Sequence, residues 1–166
     1  MKICVTGGAG FIASHIVDRY IALGHNVVVI DNLTTGNKAN INPEAAFYEG
    51  DIRNTDFIHS VFTKEKPEIL NHHAAQLDVR KSVADPVFDA EVNIIGFLNL
   101  LQESIVNNIQ KVIFASSGGV VYGDATIIPT PEDYQPLTPI SPYGVTKLAS
   151  EHYLNFYKQI HRVPFV

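Results

Sequence analysis

Apolar residues fall along this chain in short dense runs that alternate with longer stretches of helical spacing. Ile3-Cys4-Val5-Thr6 and Asn26-Val27-Val28-Val29-Ile30 are nearly continuous apolar runs, as in strands buried on both faces of a parallel sheet. Between them Ile12, Ile16, Tyr20 and Leu23 recur at helical spacing and predict a helix with that face turned inward. The alternation continues. Residues 45–49 read as a third strand, 55–64 as a helix capped by Asn54 or Thr55, and 68–71 as a short fourth strand. Asp85-Pro86 has the residue types of an N-cap and a first helical position, and opens a long helix through Asn93 and Leu98 to about Asn107. Residues 111–115 form the fifth strand. A Pro-rich stretch, 126–142, separates it from a helix opened by Ser141-Pro142, and 163–166 read as the start of a sixth strand. With no hairpin signal, strands joined through helices mean an α/β fold: a doubly wound parallel sheet with right-handed crossovers, one domain over residues 1–166.

The first strand runs directly into Gly7-Gly8-Ala9-Gly10-Phe11-Ile12-Ala13, and a helix follows. Small residues there let the backbone approach a pyrophosphate, while the helix's unpaired N–H groups and positive dipole end hold the anion. The spacing is GxxGxxA, with Ala13 small enough for close helix–strand packing. Asp31 ends the second strand about twenty residues on, where a carboxylate accepts from a ribose diol and repels a 2′-phosphate. The cofactor therefore reads as NAD, not NADP. The competing reading of Asp31 is a strand-ending residue that caps its own turn.

Composition narrows the classes. An apolar share of 46% and a charged share of 17% fit a globular protein, and a net charge of −5 without a basic cluster argues against nucleic acid. Arg80-Lys81 is an isolated pair expected to be solvated. Cys4, the single cysteine, reads as a small buried hydrophobe. No signal-peptide pattern and no membrane-length apolar run is present, so a cytoplasmic protein with no membrane partner is expected. Of seven histidines, His72 and His73 are adjacent and point to opposite faces of a strand, with no partner at ligand spacing; no metal is expected. His15 reads as a packing or surface residue.

Tyr143 and Lys147 stand four apart, one above the other on a helix face. A free Tyr keeps its proton to pH ~10, and a nearby fixed cation favours the phenolate. The pair therefore reads as an acid/base group with its electrostatic support.

Taken in order, the runs VTGGAGFIASH (5–15), DNLTTGN (31–37), GDIR (50–53), HHAAQ (72–76), the Asn93 helix, SSGGVVYG (116–123) and SPYGVTK (141–147) resemble the extended short-chain dehydrogenase/reductase family. Within it they look like the NAD-dependent nucleotide-sugar epimerases of the UDP-glucose 4-epimerase type. The resemblance implies a Rossmann domain and C4 epimerisation of UDP-glucose or UDP-galactose through a transient 4-keto sugar. It implies that Phe11 and Ile12 cover the pyrophosphate through backbone N–H groups, with Gly7 and Gly10 in the same turn. Asp31 and Asn32 would hold the adenosine ribose, and Asp51 and Ile52 would meet the adenine. Ala74, Ala75 and Gln76 would line the cofactor's middle, and Asn93 would approach its nicotinamide half. Tyr143 would be the acid/base, Lys147 would bond the nicotinamide ribose and keep the Tyr pKa low, and Ser117 would shuttle the sugar proton. Homodimerisation through the two long helices is also implied.

This chain departs from the pattern in two places. Between Phe114 and Tyr122 it is one residue longer than some epimerases, so Ser116, Ser117 or the Gly118 backbone could face a substrate; Ser117 is favoured. Family members also continue past Val166 into a substrate-binding region, so the chain reads as a fragment or a natural truncation. A 4,6-dehydratase would need an Asp-Glu pair where Gly118-Gly119-Val120-Val121 stand. Decarboxylating relatives, an NAD-binding module without turnover and a purely structural protein are the remaining alternatives.

Overall fold

The computed structural model describes residues Met1–Val166. Its elements are β1 (Lys2–Thr6), α1 (Phe11–Ala22), β2 (Asn26–Asp31), β3 (Ala46–Glu49), α2 (Thr55–Glu65), β4 (Ile69–His72), α3 (Val79–Ala84), α4 (Pro86–Ala90), a π-helical segment (Glu91–Gly96), α5 (Phe97–Val106), β5 (Lys111–Phe114) and α6 (Pro142–His161). The five strands are all parallel, in the order β3-β2-β1-β4-β5. The central strands β1 and β2 are short and largely apolar on both faces because helices cover both sides. Cys4, Val28, Ile30, Leu70 and Val112 pack against α2, α5 and α6 on one side; Ile3, Val5, Val27 and Val29 pack against α1 on the other. Cys4 is fully buried, and burial pushes its thiol up to about 12.

The predicted caps form. Asn54, Asp85 and Ser141 accept from backbone N–H groups at the starts of α2, α4 and α6, and Pro86 and Pro142 follow the last two in the first helical turn. Four expectations are corrected. The buried face of α1 is Ala13, Ser14 and Val17; Ile12 and Leu23 are exposed, because the helix must lay its smallest residues on β1 and β2. Residues 79–84 form an extra helix, α3, capped by Asp78 through bonds to the N–H groups of Arg80 and Lys81. The helix from Pro86 is continuous to Val106 but passes through a π-helical stretch over Glu91–Gly96. There Gly96 lies so close to Ile52 that a β-carbon would stand 2.7 Å from Ile52 Cγ1. Residues 163–166 form only one parallel bridge, Val112 with Phe165, beside β5. No helix is long and apolar enough to cross a membrane.

Candidate functional site

The chain runs outward from β1 to β2 and β3, then crosses back to β4 and β5. Loops leaving the carboxyl ends of β1 and β4 therefore diverge, and a crevice opens between them. A cleft of about 290 Å³ lies there, lined among others by Gly7, Gly10, Asp31, Asn32, Asp51, Ile52, Ala74, Ala75 and Gln76. Nine of the sequence-derived candidates thus meet on one wall system, although they come from separate loops.

The glycine turn leaves the cleft floor bare of side chains. Gly7 sits at φ +73°, and a β-carbon there would fall 2.7 Å from Ala74 N. Gly10 caps α1 without any side-chain acceptor, and the N–H groups of Phe11 and Ile12 have no intramolecular partner. Those are the free donors that an anion at a helix start requires. The Phe11 and Ile12 side chains themselves point to solvent, 78% and 65% exposed, so only their backbone serves the site.

Asp31 does both things its position allowed. Its Oδ1 accepts from Leu33 N at 2.8 Å, an Asx turn, and its Oδ2 accepts from Ala9 N at 3.0 Å, tying the glycine turn to β2. Each oxygen keeps a further lone pair for a ligand. Beside it Asn32 donates to Asp51 Oδ2 at 3.1 Å. The Arg53 guanidinium pairs with Asp51 at 2.9 Å and holds that carboxyl below its usual range. The two carboxylates at this end of the cleft, Asp31 and Asp51, suit a ribose diol and disfavour an added phosphate.

One candidate lies apart from the others. Asn93 does not line the cleft. It is buried in the π-helical segment, where its Oδ1 accepts from Gln76 N at 2.9 Å and its Nδ2 donates to Gln76 O at 2.9 Å and Asp89 Oδ1 at 3.0 Å. Gln76 lines the cleft, but its amide is turned inward to Asp78 and Asp89. The Asn93 amide is spent on the Gln76 backbone and Asp89, and the Gln76 amide on Asp78 and Asp89, so neither offers a ligand a free amide.

Thr34, Thr35 and Gly36, in the polar loop after β2, also line the cleft; sequence reading missed Asp89 and Asp78 and gave His73 no role at the site. Asp89 is a wholly buried carboxylate, and the only sequence hint was its place four residues before Asn93. The two histidines part company. His72 lies in the core, 4.6 Å from the Phe97 ring in a stack and bonded through Nδ1 to Thr6 Oγ1 at 2.7 Å, and burial depresses its pKa strongly. His73 lines the cleft with a buried, unpartnered Nε2; desolvation, then the Lys147 charge, lower its pKa. His15 is exposed and packs edge-on against Phe11. No three His, Cys, Asp or Glu side chains gather as a metal site would need.

Beyond β5 lies the second half of the site. Lys147 is buried; its Nζ donates to Ala115 O at 2.7 Å, lies 4.7 Å from the centre of the Phe114 ring and 5.8 Å from that of Tyr143. Ser117 stands near enough to the phenol to favour its ionised form, whereas Ser116 gives its hydroxyl to Glu151. The geometry therefore turns Ser117 toward Tyr143. The expected lowering of the Tyr143 pKa does not occur. Burial of the half-exposed ring raises it, the Ser117 hydrogen bond opposes that, and the Asp89 charge adds to the rise. Lys147 is committed to a carbonyl and an adjacent ring, so its charge reaches the phenol weakly.

Burial also drives Lys147 down to about 8 from 10.5, with Asp89 and Glu151 pulling partway back. The folded value lies below the unfolded one, so between pH 8 and 10.5 the unfolded chain binds more protons and stability rises with pH. Cys4 works in the opposite sense at high pH, but it is common to wild type and variant. The unfolding free energy of wild type minus that of Lys147→Met should therefore grow by about 3 kcal/mol across this interval. Urea unfolding at a series of pH values measures it; a pH-independent difference would contradict the burial of a charged Lys147.

Residues 3–166 match the profile described as the NAD dependent epimerase/dehydratase family. A UDP-glucose 4-epimerase from Mycolicibacterium smegmatis is 42% identical over 166 residues, 97% of this chain and 52% of that protein. A crystal structure of UDP-glucose 4-epimerase with UDP-glucose from Thermotoga maritima superposes with a TM-score of 0.97 at 45% identity, covering 99% of this chain and 53% of the other. The Thermus thermophilus UDP-glucose 4-epimerase complex with NAD gives a TM-score of 0.96 at 42% identity, with 99% and 53% covered. The chain spans about half the length of the relatives it matches.

Proposed function

The chain belongs to the NAD-dependent epimerase/dehydratase family, and from that premise we propose that it carries the cofactor-binding and acid/base half of an enzyme that inverts C4 of a UDP-sugar. One observation carries this reading: the glycine turn and Asp31 open into the same carboxyl edge of the sheet at which Tyr143, Ser117 and Lys147 converge.

The roles follow from the chain's own groups. The N–H groups of Phe11 and Ile12 bind the pyrophosphate, Asp31 accepts from the adenosine ribose, and Asn32, Asp51 and Ile52 bound the adenine end. Ala74, Ala75 and the inward-turned Gln76 form a smooth wall that lets the dinucleotide lie flat. When bound, NAD supplies the acceptor and donor of hydrogen at the sugar carbon. Tyr143 takes the proton of the 4-hydroxyl, directly or through Ser117, and returns it after the keto sugar has presented its other face. Since burial holds the phenol toward its protonated form, Ser117 eases its ionisation by bonding the phenolate. Lys147 is placed by Ala115 to bond a ribose at the reactive end. Epimerisation is preferred over dehydration because Gly118-Gly119-Val120-Val121 provide no carboxylate for eliminating water. Exposed apolar side chains on α4, the π-helical segment and α6, such as Val87, Ile95 and Phe156, suit a second copy of the chain.

Titration with NAD and NADP, followed by assay for conversion of UDP-galactose to UDP-glucose in the protein carrying this chain, tests the proposal. NAD should bind at least about tenfold more tightly than NADP. Failure to bind NAD would end the reading; binding without interconversion would reduce it to a cofactor-binding module.

A further inference from the structure

We propose that Asp89 is a positioning residue: its buried carboxylate locks the cleft wall at Gln76, the π-helical turn at Asn93 and the helix bearing Tyr143 and Lys147 into one register. This rests on the acid/base role just proposed for that helix. Asp89 is 0% exposed, and no cation bonds it. A buried carboxylate without a salt-bridge partner persists only where neutral donors satisfy it. Three do so, each from a different element. Gln76 Nε2 reaches Oδ1 at 2.9 Å, Asn93 Nδ2 reaches Oδ1 at 3.0 Å, and Thr146 Oγ1 reaches Oδ2 at 2.9 Å.

Thr146 stands between the two reactive side chains on α6, with Tyr143 O also 3.0 Å from its Oγ1. Ser150, one turn on, bonds Thr146 O at 2.8 Å and approaches Asn93 O at 3.4 Å. The α6 backbone is therefore stitched to the π-helical segment along its reactive face. Asp89 and Asn93 stand four residues apart on one helix face, so both turn toward Gln76.

The choice of a carboxylate, where an amide would fit, has an electrostatic consequence. Asp89 supports the charge of buried Lys147, helped by Glu151 on the same helix. It also opposes ionisation of Tyr143. Around this cluster stand His72, which ends β4, and His73 just beyond it, whose pKa values burial, then the Lys147 charge, lower. From α3 the charged residues Arg80 and Lys81 are exposed, and only Ser82 is buried toward α4 and α6. Within this cluster Asp89 is thus the buried anion set against the buried cation, Lys147.

Asp89→Asn is the clean test. Its Oδ1 can still accept from Gln76 and Asn93, and its amide can donate to Thr146 Oγ1, whose own hydrogen then turns to Tyr143 O. Packing is kept and the charge removed. Two readouts are taken: Lys147 titration by NMR of its ammonium, and the pH–rate profile for UDP-galactose. Both the Lys147 midpoint and the limb set by phenol ionisation should move to lower pH, with NAD affinity within about threefold of wild type. Asp89→Glu should restore both toward wild type if it folds. Asp89→Leu, which removes the bonds to Gln76, Asn93 and Thr146, should lower kcat and weaken NAD well beyond Asp89→Asn; a Leu variant that matches Asn in both would overturn the register role, and an unmoved Lys147 midpoint in Asp89→Asn would overturn the electrostatic one. Should the wild type fail to interconvert sugars while Asp89→Leu still weakens NAD beyond Asp89→Asn, the assigned activity falls and the positioning role stands.

Discussion

Tyr143→Phe should slow UDP-sugar epimerisation by about 10²–10⁴-fold, the span a positioned acid/base group supplies, and leave NAD affinity nearly unchanged. The reason for so selective a loss is the place of the hydroxyl. The ring is half-buried at the first turn of α6, and the groups around it are held by bonds that do not need the phenol oxygen: Lys147 by Ala115 and the Phe114 ring, and the start of α6 by Ser141. Removing one oxygen therefore leaves a structure in which everything except proton transfer is intact. Steady-state assay with a parallel NAD titration separates the effects. The dependence of rate on phenol ionisation should also vanish from the pH profile. A rate within about tenfold of wild type would remove Tyr143 from the mechanism, and concomitant loss of NAD would make its role structural.

The second large effect is expected at Gly7. Gly7→Ala places a β-carbon 2.7 Å from Ala74 N and 2.9 Å from Ala74 Cα, both backbone, at φ +73°. Neither neighbour can swing aside, so the loop after β4 must retreat or the glycine turn must reopen. The cost in stability should be about 1–3 kcal/mol, and NAD should weaken by at least about tenfold as the N–H groups of Phe11 and Ile12 shift. Gly24→Ala is the matched control. Gly24 has a similar φ, +79°, with nothing within 4 Å of the added carbon, so it carries the backbone strain alone and lies away from the cleft. Equal NAD affinities for the two variants would show that close approach at Gly7 is not what the site requires.

The parts of the site legible in the chain were those set by residues near in sequence. Gly7 and Gly10 advertise a turn that admits an anion, because absence of a side chain is itself the signal. Asp31 follows a run so apolar that a carboxylate at its end can only lie at the sheet's edge. Asn54, Asp85 and Ser141 declare helix starts through the types of their neighbours. Other readings failed because periodicity records which residues are apolar, not which face is small enough to pack: α1 buries Ala13 and Val17 and leaves Ile12 in water. The Asn93 helix showed no sign of its π-helical stretch, nor of the close approach there of Gly96 to Ile52, which lies far away in the chain.

By itself, then, the chain's order determined a parallel α/β sheet, the loops that would meet at its carboxyl edge, and the chemistry of the residues arriving there. Those properties are local: hydrogen-bond demand, side-chain size and strand or helix period act over a few residues. Only the tertiary structure decided what each polar group spends itself on. It turned Gln76 and Asn93 inward onto Asp89, gave Lys147 to the Ala115 carbonyl, set Ser117 rather than Ser116 beside the phenol, and raised the Tyr143 pKa that spacing alone would have lowered. A proton's affinity depends on burial and on charges brought from distant parts of the chain, and these exist only after the helices have packed.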